Sequence, residues 1–187
     1  MNPWGDKVVD PPKRYDMPVA VQITDAPGVN GNAYIPVPQP SGILALDLAT
    51  ATGWACSNGD SGVQRFQLKR GDSPGMRFLR FSSWLHEILD LTSPALVVVE
   101  QAHHRGGHAT ELAVGFSTRV QEQAARRGIN FTSVHSATLK KHATGSGRAN
   151  KQDMIDAARV ILEREPLDDN EADAVLILQW AKEQYRG

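Results

Sequence analysis

The sequence predicts an α/β layer protein, one mixed sheet covered by helices, and three observations carry that prediction. Two short runs, at 43–48 and 95–99, are almost continuously apolar, the mark of strands buried on both faces. Between them lie two more strand-like runs separated by turn signals. After the second run, helical periodicity alternates with one further strand-like segment. At 187 residues the chain suits one compact domain with extra material.

The first 40 residues stand apart. Pro3, Pro11, Pro12, Pro18, Pro27, Pro36, Pro38 and Pro40 crowd into them, and regular hydrophobic periodicity is missing. Residues 1–40 are therefore expected to be a flexible or loosely docked arm, and residues 41–187 the globular domain. Ile43 to Leu46 begin the first strand, which runs into Asp47. Small residues then turn the chain, and 52–57 form a second strand. Asn58-Gly59-Asp60 is a hairpin signal, and 63–68 reads as a third strand, so three antiparallel strands should form a meander. Asp72-Ser73-Pro74 opens a helix with Phe78, Leu79, Phe81, Leu85, Ile88 and Leu89 expected inward, ending before Ser93-Pro94. Residues 95–100 are a β-branched strand closing on Glu100. A helix over 112–127 is stopped by Gly128, and 129–134 is a further strand. A polar, basic stretch follows, with a Gly145-Ser146-Gly147 loop. Residues 151–165 are helical, with Ile155, Ala158, Ile161 and Leu162 facing in. A last helix begins in the acidic run after Pro166 and continues through Tyr185.

Composition sets limits on function. Hydrophobic content of 41% and charged content of 22% are ordinary for a soluble protein. The formal net charge is only -1, so a nucleic-acid partner has to be argued from local charge. The single cysteine, Cys56, excludes an internal disulfide framework and is expected to be a buried structural thiol in a reducing compartment. No apolar run reaches about eighteen residues and no charged-then-apolar leader is present, so a cytoplasmic protein without a membrane partner is expected.

Two buried strands each deliver an acid, Asp47 and Glu100, at the same end. A late helix carries Asp169 and Asp173, four apart and so on one face, with Asn170 three before Asp173. Buried acids need a partner, and converging carboxylates need a cation. All-oxygen ligands favour Mg²⁺ or Mn²⁺ over zinc, and paired ions about 3.5–4 Å apart would suit phosphodiester cleavage. The plainer reading makes Asp47 a turn residue and Asp168 and Asp169 helix caps. It explains each residue singly better than it explains Asp47, Glu100 and Asp173 together.

The order of these segments carries a resemblance. Leu44-Ala45-Leu46-Asp47 to Thr52-Gly53-Trp54, then Val97-Val98-Val99-Glu100-Gln101, resembles the RuvC family of Holliday-junction resolvases. So does the continuation through Lys140-Lys141, Thr144 to Lys151, and Glu171-Ala172-Asp173-Ala174. The likeness spans about residues 42–180. It implies a ribonuclease-H-like mixed five-stranded sheet flanked by helices. It also implies a homodimer and Mg²⁺-dependent nicking of symmetric strands at a four-way DNA junction, with Mn²⁺ able to substitute. Asp47, Glu100 and Asp173 match the family's metal-binding and catalytic acids. Where the family usually has an acid three residues before the last, this chain has Asn170, so Asp169 is the expected fourth ligand and Asn170 its alternative. The family tends to place a junction-wedging aromatic after the Glu-Gln pair; here Ala102-His103-His104-Arg105 stands instead. Lys140, Lys141, Arg148, Lys151, His104 and Arg105 are the expected DNA contacts. A standalone resolvase of this kind would also suit a bacteriophage or mobile element.

Rival classes remain. His103, His104 and His108 could suggest zinc, but no cysteine or acid stands near them on their Gly-rich loop. Leu46-Asp47 through Thr52-Gly53 also resembles the phosphate-binding hairpin of actin-like and sugar-kinase ATPases, which need two such domains and more chain. A catalytically silent junction-binding protein is the other alternative, raised by Asn170.

Overall fold

The structure, a computed structural model, describes residues 41–101 and 107–185. The Pro-rich segment assigned to an arm, and His103, His104 and Arg105, lie outside the described residues.

Five strands form one sheet in the order β3-β2-β1-β4-β5. β1 (Ile43–Asp47), β2 (Ala51–Cys56) and β3 (Ser61–Arg65) pair antiparallel as the expected meander. β4 (Leu96–Glu100) lies parallel to β1, and β5 (Asn130–Val134) parallel to β4. Parallel neighbours need crossovers, here α1 (Gly75–Thr92) and α2 (His108–Arg126). Three helices follow: α3 (Ser136–Thr144), α4 (Lys151–Leu162) and α5 (Asp169–Gln184). The molecule is α/β, with helices on both faces of a mixed sheet.

The pleat divides the core in two. Leu44, Leu46, Val97 and Val99 project to one face, where they meet Phe81, Leu85, Ile88 and Leu89 of α1 and Phe116 and Val120 of α2. Ala45, Ala55 and Val98 project to the other, where α5 lies directly on the sheet. Small strand residues on that side bring α5 close. Its Ala172, Ala174, Val175, Leu176, Ile177, Leu178 and Ala181 are all buried, an apolar surface running almost all round the helix. Met154 and Ala158 of α4 and Leu139 of α3 cover its outer side.

Several local expectations are corrected. β3 is Ser61–Arg65 rather than 63–68, because Phe66 leaves the strand to join an aromatic cluster with Phe81, Trp84 and Phe116. Leu79 is 62% exposed and Ile161 43% exposed, so neither faces in. Met154 takes the inward place on α4, which ends at Leu162 because Glu163 turns into the left-handed region. α2 begins at His108, four residues before the expected start, and ends at Arg126. The basic stretch that reads as loop contains α3, so Lys140 and Lys141 stand on a helix. Cys56 is buried and free, as expected.

Candidate active site

Strand register brings the first two acids together. Leu44 pairs with Val97 and Leu46 with Val99, so the next step of the parallel ladder sets Asp47 beside Glu100. Ala45 and Val98 point to the α5 face, and side chains alternate with period two, so Asp47 and Glu100 project to that face as well. Both acids end their strands, where the sheet stops and the first turns of α5 begin.

Two features seat α5 there. Gly53 lies opposite Asp47 in the β1–β2 ladder. A Cβ at Gly53 would stand 1.8 Å from the Asn170 carbonyl oxygen, so only glycine admits this approach of helix to sheet. Asp168 caps the helix: its Oδ1 accepts from the Asn170 and Glu171 N–H groups at 3.0 and 3.2 Å. Its Oδ2 accepts from Arg65 Nη2 at 2.8 Å. Asp168 is thereby committed to structure, while Asp169 and Asp173 both border a cleft of about 260 Å³.

Glu100 and Lys140 line the same cleft with Lys151, Ser136 and Asn150, above Met154 and Ile155. Lys151 Nζ lies 2.8 Å from Asp169 Oδ2. The carboxylates perturb one another. Burial, then the charges of Asp173, Glu100 and Asp169, push the Asp47 carboxyl well above the usual range. Burial, then Glu100 and Asp169, raise Asp173 to about 7, with Lys140 and Lys151 partly offsetting them. Asp169 goes the other way, held below its ordinary value by the Lys151 ammonium.

The acids predicted from sequence thus meet at one end of the sheet, together with Lys140 and Lys151. The closed shell expected of a metal site is not drawn up: among the described residues, no group of three or more His, Cys, Asp or Glu is arranged to hold a metal ion. In charge and donor type the cluster nonetheless fits a hard dication. It offers carboxylate oxygens, and burial together with like-charged neighbours raises two of its carboxyls above the usual range. Lys141 and Arg148 are exposed beside this region, Arg148 on the turn between α3 and α4. Sequence reasoning missed Ser136 and Asn150. The latter was signalled by Asn150-x-x-Asp153, which forms a full capping box at the start of α4.

The fold is ribonuclease-H-like, a mixed five-stranded sheet with helices on both faces, and it is shared with solved RuvC structures. A Thermus thermophilus RuvC structure in complex with Holliday junction substrate is similar over 74% of this chain and 90% of its own, with 19% identity and a TM-score of 0.61. A second Thermus thermophilus RuvC structure matches 76% of this chain and 96% of its own, again at 19% identity and 0.61. The yeast mitochondrial Holliday junction resolvase matches 79% of this chain and 82% of its own, with 14% identity and a TM-score of 0.52. No family model matches the sequence, and no curated protein matches it.

Proposed function

We propose that this protein is a metal-dependent endonuclease that resolves four-way or other branched DNA by phosphodiester hydrolysis, acting as a homodimer. The observation that carries the reading is the meeting of Asp47 and Glu100, adjacent in the parallel ladder, with Asp173 and Asp169 of α5. The same fold in a junction-bound RuvC supports it.

Asp47, Glu100, Asp173 and Asp169 would hold Mg²⁺ or Mn²⁺, with the Asn170 side-chain carbonyl as alternative to Asp169. When bound, such ions supply Lewis acidity toward the phosphate and make a water acidic enough to attack it. The protein's own part is to order charge. Burial and neighbouring carboxylates raise the Asp47 and Asp173 carboxyls, so binding a cation there would be coupled to release of protons. Lys140 and Lys151, which line the same cleft, would supply positive charge for a backbone phosphate. Lys151 would exchange Asp169 for that phosphate as the acid turns to metal. Arg148 and Lys141 extend the basic surface, and His104 and Arg105 are proposed as further contacts. No protein nucleophile is required.

The test is a synthetic four-way junction incubated with the protein in Mg²⁺, Mn²⁺ and chelator. Paired nicks that need the metal and vanish with Asp47→Asn, while junction binding persists, are expected. Near-normal cutting by Asp47→Asn would remove the centre of the site. The alternative is a catalytically silent junction binder, raised by Asn170 where the family usually has an acid. Wild type that binds the junction without ever cutting it would establish that alternative.

A further inference from the structure

Glu171 sits between Asp169 and Asp173, yet it is fully buried, at 0% exposure. Its Oε1 accepts from Ser61 Oγ at 2.7 Å and from Arg164 Nη2 at 2.6 Å. Its Oε2 accepts from the Leu167 N–H at 2.6 Å and from Arg164 Nη1 at 3.1 Å. The carboxylate is therefore saturated by four donors from three places: the start of β3, the end of the α4 turn, and the link into α5. We infer that the Arg164–Glu171 pair is a positioning device that fixes the rotation of α5 about its axis and so sets where Asp169 and Asp173 stand relative to Asp47. This inference rests on the nuclease reading above.

Helical geometry gives the reason. Successive residues turn by about 100°, so Asp169 and Asp173 lie within about 40° of one another and Glu171 points nearly opposite to both. Holding that opposite side holds the acid face. The Gly53–Asn170 approach limits how far the helix can shift toward the sheet, and the Arg164–Glu171 pair adds a second fixed point at the following residue. Two further features argue against simple stabilisation. The pair is only half buried, Glu171 fully and Arg164 45% exposed, and ion pairs of this kind add little net stability. In addition, Glu163, a non-glycine residue at φ 56°, adopts the left-handed turn that ends α4 immediately before Arg164. A residue held there without glycine marks a constrained link.

The experiment separates positioning from stability. In the double variant Arg164→Met, Glu171→Gln the charge pair is removed while the amide carbonyl still accepts from the Leu167 N–H, and a melting temperature near wild type is expected. Mn²⁺ affinity, measured by equilibrium dialysis without DNA, should fall by about tenfold or more, as loss of an orienting partner usually costs. Single-turnover cleavage should fall with it, while junction binding in chelator stays unchanged. If the double variant melts, binds Mn²⁺ and cuts like wild type, the pair is merely structural and the inference is overturned. Should the double variant fail to fold, Arg164→Lys replaces it. Arg164 is 45% exposed, so lysine is tolerated there, but lysine cannot give the two-point contact. Weakened Mn²⁺ affinity at unchanged melting temperature supports the inference, and unchanged affinity overturns it. If wild type cuts no branched DNA, the nuclease reading fails on its own, while the dialysis still judges the clamp.

Discussion

At the scale of single residues, each site acid has a different environment and so a different predicted behaviour. Asp173 is raised to about 7, chiefly by burial and then by Glu100 and Asp169. A carboxyl whose folded pKa exceeds its unfolded value binds its proton more tightly in the native state. Its contribution to stability is present in full below about pH 4 and is lost as pH rises through about 7. Without added metal, wild type should therefore lose melting temperature between pH 5 and 8 relative to Asp173→Asn, whose curve lacks this component. Parallel curves for the two proteins would show that Asp173 does not carry the shift. The run Asp168-Asp169-Asn170 divides by role in the same way. Asp168→Ala removes a helix cap and the Arg65 pair, and should cost about 1 kcal/mol of stability with little effect on cleavage once folded. Asp169→Ala should cost on the order of 100-fold in cleavage at limiting Mg²⁺, as misplacement at a reacting centre does. Asn170→Asp should preserve or raise activity. Single-turnover rates across a Mg²⁺ titration decide among them. If Asp169→Ala cuts like wild type and Asn170→Ala is dead, the amide is the ligand.

At the scale of elements, what was legible in the sequence followed from strong patterns. The buried strands announced themselves because Leu44 to Leu46 and Val97 to Val99 are apolar on both faces, and the parallel pairing of β1 with β4 follows from the helix between them. The amphipathic α1 and α4 were visible for the same reason. α3 was not: among its nine residues only Leu139 is buried, so Ser136–Thr144 offers no apolar stripe to read. The exposed Leu79 and Ile161 misled by the same logic, being apolar residues on helical faces that the described residues leave largely open. The convergence of Asp47 and Glu100 was legible because carboxylates ending buried strands are unusual, whereas the Arg164–Glu171 pair joins residues whose meeting only the turn after α4 creates. Gly53 belongs to this scale too, since it sets the distance between β2 and α5. Gly53→Ala would drive a methyl group into the Asn170 carbonyl, and backbone has no flexible end to yield. It should cost several kcal/mol, among the larger single-residue effects in the molecule, and metal affinity should fall in whatever folded protein remains. Chemical denaturation reads the first and Mn²⁺ dialysis the second; a Gly53→Ala protein as stable as wild type would mean that α5 is not seated as described.

At the scale of the whole molecule, the charge and the symmetry of the task have to be reconciled. Under the proposed function, the net charge of -1 supplies no bulk attraction to DNA, so binding would have to come from the cations around the cleft while the acids would repel a phosphate. One copy presents one set of acids, and a four-way junction is resolved only when two strands are nicked symmetrically. The proposed C₂ dimer would answer both needs, placing two clefts related as the two strands are and doubling the basic surface on one substrate. The described surface offers material for such an interface. Leu79 and Leu91 on α1 are 62% and 85% exposed, and Val114 on the neighbouring α2 is 38% exposed, all on the sheet face away from α5. Light scattering should therefore give the mass of two chains, free and with junction bound. Leu79→Glu combined with Val114→Glu should yield a folded monomer that leaves Asp47, Glu100 and Asp173 intact. That monomer should bind the junction more weakly and produce single, unpaired nicks in place of paired ones. A wild-type mass of one chain in both states would remove the dimer, and paired nicking by the monomeric variant would show that one site can cut both strands in turn.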